Sequence, residues 1–234
     1  VRKNAQPLVV RVCGIEIALA HNGNLTNASE LRGELESEGA IFQTSSDSEI
    51  FVHLIARSLA KKKYLEEPIL SACDRVRGAY SLIILSEGRI IALRDAHGFH
   101  PLAMGKVDDA YVFASETCAL DALGATVIRD LSPGEVVTVD EGLNMKSEFL
   151  PEAHRRSCIF EYVYLARGDS RIDGVNVYDA RYECGKMLAE RFKIDADVVA
   201  GVPDSAIVSA RGYSEVSGVP YVDALSKNRY IGRA

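Results

Sequence analysis

Ile15-Glu16-Ile17-Ala18-Leu19-Ala20-His21-Asn22-Gly23-Asn24-Leu25-Thr26-Asn27 is the stretch on which the fold turns. Ile15 to Ala20 mixes β-branched and small residues, which predicts a buried strand, and His21-Asn22-Gly23-Asn24 predicts a turn at its end. A helix should follow. Asn27 is placed to cap it with Glu30 as capping-box partner, Leu31 and Leu35 share a face, and Gly39 stands at its C-terminal end.

Beyond Gly39 a second helix is expected from Ser46 or Asp47, with Ile50, Leu54, Ile55 and Leu59 as its apolar stripe. Asp47 and Glu49 lie near the positive end of its dipole. A third opens at Pro68, with Ile69, Ala72, Cys73 and Val76 at helical spacing. From Gly78 to Phe149 the texture changes to β-rich runs: Ala79 to Leu85, Arg89 to Arg94, Tyr111 to Ala114, Glu135 to Val139 and Asn144 to Phe149. Turn pairs such as Glu87-Gly88 and Pro133-Gly134 separate them, so a largely antiparallel sheet is expected, with a short helix from Thr117 to Leu123.

Polar Pro151 to Ser157 reads as a linker, giving a first domain over 1–150 and a second over 158–234. The second reads as α/β: a helix from Val175 to Phe192 with Val177, Ala180, Cys184, Met187 and Leu188 inward, a strand from Asp197 to Val202, a helix from Ser205 to Ser217, and a strand beginning at Val219 to Tyr221. There is no internal repeat.

A hydrophobic fraction of 47% and a charged fraction of 26% over 234 residues describe an ordinary globular composition. The start, Val1 to Gln6, lacks the apolar core of a signal peptide, and no apolar run reaches membrane-span length, so a soluble, cytoplasmic protein is expected. Net charge of −6 argues against a broad nucleic-acid surface. Lys227, Arg229 and Arg233 cluster locally, which fits a small anionic ligand or a solvated charged face. The five cysteines form no Cys-x-x-Cys pair and are odd in number, so a disulfide framework is disfavoured and most are expected in the core.

Leu19 to Asn27 resembles the oxyanion-hole turn of class II glutamine amidotransferases. Thr44-Ser45-Ser46-Asp47-Ser48-Glu49 resembles the glutamine-binding segment of the same family, and Asn4-Ala5-Gln6-Pro7 its approach to the oxyanion strand. Arg94 to Leu102 and Ala114 to Ala119 also match, with His100 where an arginine is usual. The resemblance implies an α+β N-terminal-nucleophile glutaminase with αββα layers, here incomplete. Asn22 and Gly23 would supply the oxyanion donors, and Asp47 the partner of the substrate ammonium. Plain readings stand beside these: an Asn-Gly turn, and a cap on the second helix.

Cys13-Gly14-Ile15 imitates the family's Cys-Gly start. Cys13 is internal, its nitrogen acylated, and it lies eight residues before His21 on the expected strand, so it is assigned to the core and the nucleophile is expected upstream of Val1.

Cys158-Ile-Phe-Glu-Tyr-Val-Tyr164, Arg167-Gly168-Asp169-Ser170, Asp197 to Ser205 and Lys227-Asn-Arg-Tyr-Ile-Gly-Arg233 resemble the amidophosphoribosyltransferase branch, with Gly168 in place of its proline. That branch implies the start of a type I phosphoribosyltransferase domain with Ser205, Lys227 and Arg229 at a nucleotide or phosphate site. It also implies glutamine and phosphoribosyl pyrophosphate as substrates, Mg²⁺ entering with the latter, purine nucleotides as inhibitors, and a homo-oligomer. One part of the branch carries a [4Fe–4S] cluster with a ligand at the position of Cys158. The alternatives are another class II amidotransferase, such as a glucosamine-6-phosphate or asparagine synthase, and a non-enzymatic nucleotide-binding remnant.

Overall fold

Pro7 has no N–H to give to a ladder, and β1 (Leu8–Val12) begins directly after it. Cys13 and Gly14 then reverse the chain at φ 50° and 85°, the left-handed pair that a two-residue hairpin turn demands, into β2 (Ile15–Leu25). Cys13 is therefore an exposed turn residue and not part of a core strand. The computed structural model describes residues 2–59, 65–151, 153–228 and 230. It divides into two compact units, Val1–Ser115 with Leu123–Ser157, and Glu116–Ala122 with Cys158–Ala234.

In the first unit α1 (Ala28–Ser37), α2 (Ser48–Leu59) and α3 (Glu66–Cys73) follow β2. The sheet is then built from β3 (Gly78–Ser86) and β4 (Arg89–Arg94). A pair, β5 (Ala103–Val107) and β6 (Ala110–Ala114), precedes α4 (Thr117–Ala122), which belongs to the second unit, and β7 (Thr126–Asp130), β8 (Glu135–Val139) and β9 (Met145–Phe149) then return to the first. The single expected sheet is two: six strands ordered β1-β2-β3-β4-β8-β9 and three ordered β6-β5-β7, antiparallel throughout. β1, β5 and β7 had no counterpart in the sequence reading.

Leu31, Leu35, Ile50, Ile55 and Ile69 from the helices pack on Ile17, Leu19, Leu82, Ile84 and Leu93 of the large sheet. Ala92, Val137 and Val139 form a second core with Met104 on the small sheet's side. Truncating a fully buried leucine such as Leu82 to alanine in a core like this costs about 2–5 kcal/mol. Asn27 sits at the N-terminus of α1 but makes no capping bond. Its side chain instead takes the Arg77 N–H and donates to the Arg75 carbonyl, tying the helix start to the strand that follows α3.

In the second unit a π-helical turn at Glu161–Leu165 precedes β10 (Arg171–Ile172) and β11 (Val175–Asn176), and then α5 (Val177–Arg191) and α6 (Ala206–Ser217). α5 buries Val177, Arg181, Gly185 and Ala189, whereas the expected inward residues Cys184, Met187 and Leu188 are exposed. The reason is close helix packing. A Cβ on Gly185 would stand 1.9 Å from the Ser209 carbonyl oxygen, and one on Gly212 would stand 2.1 Å from that of Tyr182. The expected strand over Asp197 to Val202 reduces to one parallel bridge, Val199 with Tyr221. Among the described residues only Cys73 of the five cysteines is buried, and burial pushes its thiol up to about 12. No helix among the described residues is long and apolar enough to cross a membrane.

Candidate functional site

β2 does not stop at His21. It runs through Asn22, Gly23 and Asn24 to Leu25 in unbroken register with β3, Gly23 facing Tyr80, so the expected turn is absent. The glycine serves a close approach instead: at φ 156°, a Cβ there would lie 2.1 Å from the Ala79 carbonyl oxygen.

Strand alternation then sets the donors. The His21 N–H is taken by Gln6 Oε1 at 2.5 Å, and Gln6 Nε2 returns a bond to the His21 carbonyl at 2.9 Å, so a side chain extends the ladder where Pro7 ends it. The Leu25 N–H goes to Asp47 Oδ2 at 2.9 Å. Both lie on the edge of β2 away from β3. Gly23, midway between them in an unbroken strand, turns its N–H to the same edge. Asn22 presents an exposed side chain whose Nδ2 donates to Ser115 Oγ at 3.4 Å.

The segment before α2 is tightly held. Glu49 accepts from the Gln43 and Thr44 N–H groups at 2.8 and 2.7 Å and from Thr44 Oγ1 at 2.7 Å. Burial raises its pKa, but these bonds outweigh it and leave the carboxyl below its ordinary value. Arg32 donates to the Thr44 and Ser46 carbonyls, and Asn4 exchanges bonds with Ser45. Ser46 Oγ takes the Ser48 N–H at the start of α2, so the serine does the capping and the Asp47 carboxylate is released towards β2. Asp47 Oδ1 lies 3.6 Å from His21 Nδ1, which also pairs with Ser48 Oγ at 3.0 Å.

His21 is buried edge-on against Phe51. Burial lowers its pKa, Asp47 raises it in part, and His100 lowers it further. Its Nε2 is buried without a hydrogen-bond partner, which fits a neutral ring.

The loop after β4 is organised by Arg94, fully buried and donating to the carbonyls of His100, Leu131 and Gly98 at 2.7 to 2.8 Å. Asp95 takes the His97 and Phe99 N–H groups. His97 is half-buried, with Nδ1 enclosed and its ring against those of Phe99 and His154. Neither Gln6 nor Ser115 was assigned a role from sequence. Pro7 was the available signal for Gln6, because a ladder interrupted by proline needs a substitute donor.

In the second unit Ser205, at the start of α6, and Lys227 line a cavity of about 970 Å³ together with Arg167, Asp169 and Asp204. The cations are already paired: Lys227 Nζ donates to Asp204 Oδ2 at 2.8 Å, and Arg167 grips Asp169 through Nε and Nη2 at 3.0 and 2.7 Å. Gly201 lets the chain pass α6, since a Cβ there would lie 2.5 Å from Ile207 Cα. Gly168 faces open space, its added Cβ meeting only Arg181 Nη1 at 3.8 Å. Arg229 and Arg233 lie outside the described residues. Cys158 is a half-buried free thiol, and no group of three potential metal ligands occurs among the described residues.

Comparison with known proteins bears on both regions. Residues 1–122 match a family model described as a glutamine amidotransferase domain. The amidophosphoribosyltransferase of Bacillus subtilis (strain 168) is 49% identical over 234 residues, 99% of this chain and 48% of that protein. That of Archaeoglobus fulgidus is 46% identical over 235 residues, 99% of this chain and 50% of its own length. The solved glutamine phosphoribosylpyrophosphate amidotransferase from B. subtilis, complexed with ADP and GMP, superposes with a TM-score of 0.92 at 48% identity, covering 99% of this chain and 50% of that one. The chain spans about half the length of the curated relatives it matches.

Proposed function

Since the chain belongs to the glutamine amidotransferase domain family, we propose that it carries the ammonia-releasing part and the opening of the phosphoribosyl part of an amidophosphoribosyltransferase. Water hydrolyses the glutamine carboxamide, the C–N bond breaks, and glutamate and ammonia leave. The ammonia lone pair then forms the bond to ribose C1 of phosphoribosyl pyrophosphate as the C–O bond to pyrophosphate breaks, giving 5-phosphoribosylamine, the opening step of purine synthesis.

One observation carries the reading. Gly23 aims its N–H at the edge of β2 that also holds Asp47, and the Asn22 amide stands beside it in sequence. A tetrahedral oxygen held there would meet two fixed donors, the arrangement that lowers the barrier to amide hydrolysis. Asp47 Oδ1 remains for the substrate ammonium, since Oδ2 is spent on Leu25. His21 holds Asp47 and Ser48 and moves no proton in this scheme. Cys13 is not the attacking group in this scheme, because it is a hairpin-turn residue whose nitrogen is acylated and cannot serve as base.

On this reading the 970 Å³ cavity takes the pyrophosphate and ribose phosphate or a purine nucleotide, with Ser205 and Lys227 as phosphate donors; Arg229 joins them on the sequence resemblance alone. Mg²⁺ belongs to the substrate complex, because Asp169 and Asp204 each already answer a cation. On the same reading the phosphoribosyltransferase part begins at Cys158, which is supported by the second compact unit taking up Cys158–Ala234 together with Glu116–Ala122. Cys158 would supply one of the four thiols that a [4Fe–4S] cluster takes, and iron analysis of the intact protein decides whether a cluster is present.

The test is turnover by the intact protein with glutamine, phosphoribosyl pyrophosphate and Mg²⁺. Glutamate and pyrophosphate should appear in equal amounts, and free ammonia should replace glutamine in the second step. Nucleotide binding with no glutamine turnover would overturn the reading in favour of a regulatory remnant.

A further inference from the structure

Arg167, Lys227 and Arg181 all line the cavity of the second unit, and they differ in what they hold. Arg167 and Lys227 are exposed, and each grips a carboxylate. Arg181, on the buried face of α5, is only 4% exposed, and among the described residues no carboxylate pairs with it. Its Nε donates to the Tyr162 carbonyl and its Nη2 to the Ala166 carbonyl, both at 2.7 Å. A guanidinium is planar and carries five N–H groups, so these two bonds fix its plane and leave the pair on Nη1 unspent. Gly168, also on the cavity lining, leaves that nitrogen uncovered: a Cβ there would have Arg181 Nη1 as its one neighbour, at 3.8 Å.

We propose that Arg181 is an anion-binding residue of this cavity, taking one oxygen of a pyrophosphate group on Nη1 through the opening that Gly168 leaves. The assignment rests on the reading of the cavity as a phosphate site given above.

Three features carry it. A guanidinium stays ionised at any ordinary pH, and a buried charge without a counter-ion is costly. Burial lowers the Arg181 pKa, and Glu116 offsets this only in part. Glu116 acts from beyond contact, its Oε2 being taken by Ser170 Oγ at 2.6 Å and by the Arg167 N–H at 2.8 Å. Secondly, the Tyr162 and Ala166 carbonyls supply dipoles and no net charge. An anion at Nη1 therefore displaces no carboxylate, whereas at Lys227 and Arg167 it must replace Asp204 and Asp169. Thirdly, α5 has no room to shift. Ser209 Oγ donates to the Arg181 carbonyl at 3.0 Å, and at Gly185 and Gly212 the two helices approach too closely for any side chain.

The experiment titrates the intact protein with inorganic pyrophosphate in a calorimeter and follows thermal melting alongside. The wild type should bind it. Gly168→Val places a branched side chain over Nη1 and should weaken binding by about tenfold or more, the scale of a lost hydrogen bond between charged groups. Gly168→Ala should fall between the two with wild-type melting, which separates an anion contact from a purely structural part. Arg181→Lys keeps the charge without the fork, so it should weaken binding and also lower the melting temperature through the carbonyls it abandons. Lys227→Met should weaken binding severalfold, which places the pyrophosphate in this cavity. Wild-type affinity in folded Gly168→Val, with Lys227→Met weakened, overturns the role of Arg181 alone; should the valine variant not fold, wild-type affinity in both Gly168→Ala and Arg181→Lys does so. A wild-type protein that binds no pyrophosphate, or a Lys227→Met protein that binds it as well as the wild type, overturns the phosphate-site reading together with it.

Discussion

The two candidate sites are built in opposite ways. In the first unit the proposed oxyanion donors, Asn22 and Gly23, sit inside a strand of a six-stranded sheet, and the segment carrying Asp47 is tied by Glu49, Arg32 and Asn4. In the second, the cavity is walled by short loops whose charged side chains neutralise one another at its exposed surface. A site that stabilises a transient negative charge gains from donors that need no reorganisation at the moment of reaction. A site that admits a polyanion has only to exchange existing carboxylate partners for phosphate ones. The first arrangement should therefore be brittle and the second tolerant.

The sharpest way to break this contrast is at β2. In the intact protein Asn22→Ala should lower glutaminase kcat by roughly 10²- to 10³-fold while leaving ammonia-supported synthesis in place; full glutamine turnover would remove Asn22 from the oxyanion hole. Next in size, Asp47→Asn should raise the glutamine KM by about tenfold or more, the scale of a lost hydrogen bond between charged groups, and an unaltered KM would separate Asp47 from the substrate ammonium. Rigid packing is not confined to the first unit, however. Gly185→Ala should destabilise the second by about 1–3 kcal/mol in denaturant melts, because the added methyl meets the Ser209 carbonyl and neither helix has room.

His21 sharpens the contrast through pH. Its folded pKa lies below the unfolded value of about 6.5, so the unfolded chain binds the proton first. The stabilisation is complete above about 6.5 and is lost as pH falls through the folded value. Thermal melts from pH 7.5 to 5 should show this loss, and His21→Gln should flatten it. An unchanged slope would assign the effect to other groups.

The same difference decided what the sequence could tell. α1, α2, β4 and β8 follow periodic patterns whose buried faces are made of Leu, Ile and Val, and their positions agree with the reading to within a residue or two. Cys13-Gly14 and His21-Asn22-Gly23-Asn24 were exchanged: the turn chemistry belonged to the first pair and the strand to the second. Gly23 marks a close strand approach, which a local turn rule cannot distinguish from a reversal because both select glycine. The helix α5 was legible but most of its inward face was not. Its contact face is Val177, Arg181, Gly185 and Ala189, where small residues admit the α6 backbone and Arg181 is buried against carbonyls, so counting large apolar residues selected the wrong side. Asp47 was singled out because its motif is contiguous, whereas the bonds of Gln6 to His21 and of Ser115 to Asn22 span separations that periodicity does not encode.

The smallest expected effect is the most direct test of tolerance in the cavity. Lys227 and Asp204 form an exposed pair, so removing the charge leaves a carboxylate that water can solvate. Lys227→Met should change stability by only about 0–1 kcal/mol, as such surface pairs do, and should raise the phosphoribosyl pyrophosphate KM severalfold in ammonia-supported synthesis with glutaminase turnover retained. The two readouts separate binding from architecture. A KM increase with unaltered melting places Lys227 on the phosphate and keeps the cavity adaptable, whereas a loss of stability well above that range would mean that this wall is as preorganised as β2, and the contrast between the two sites would fail.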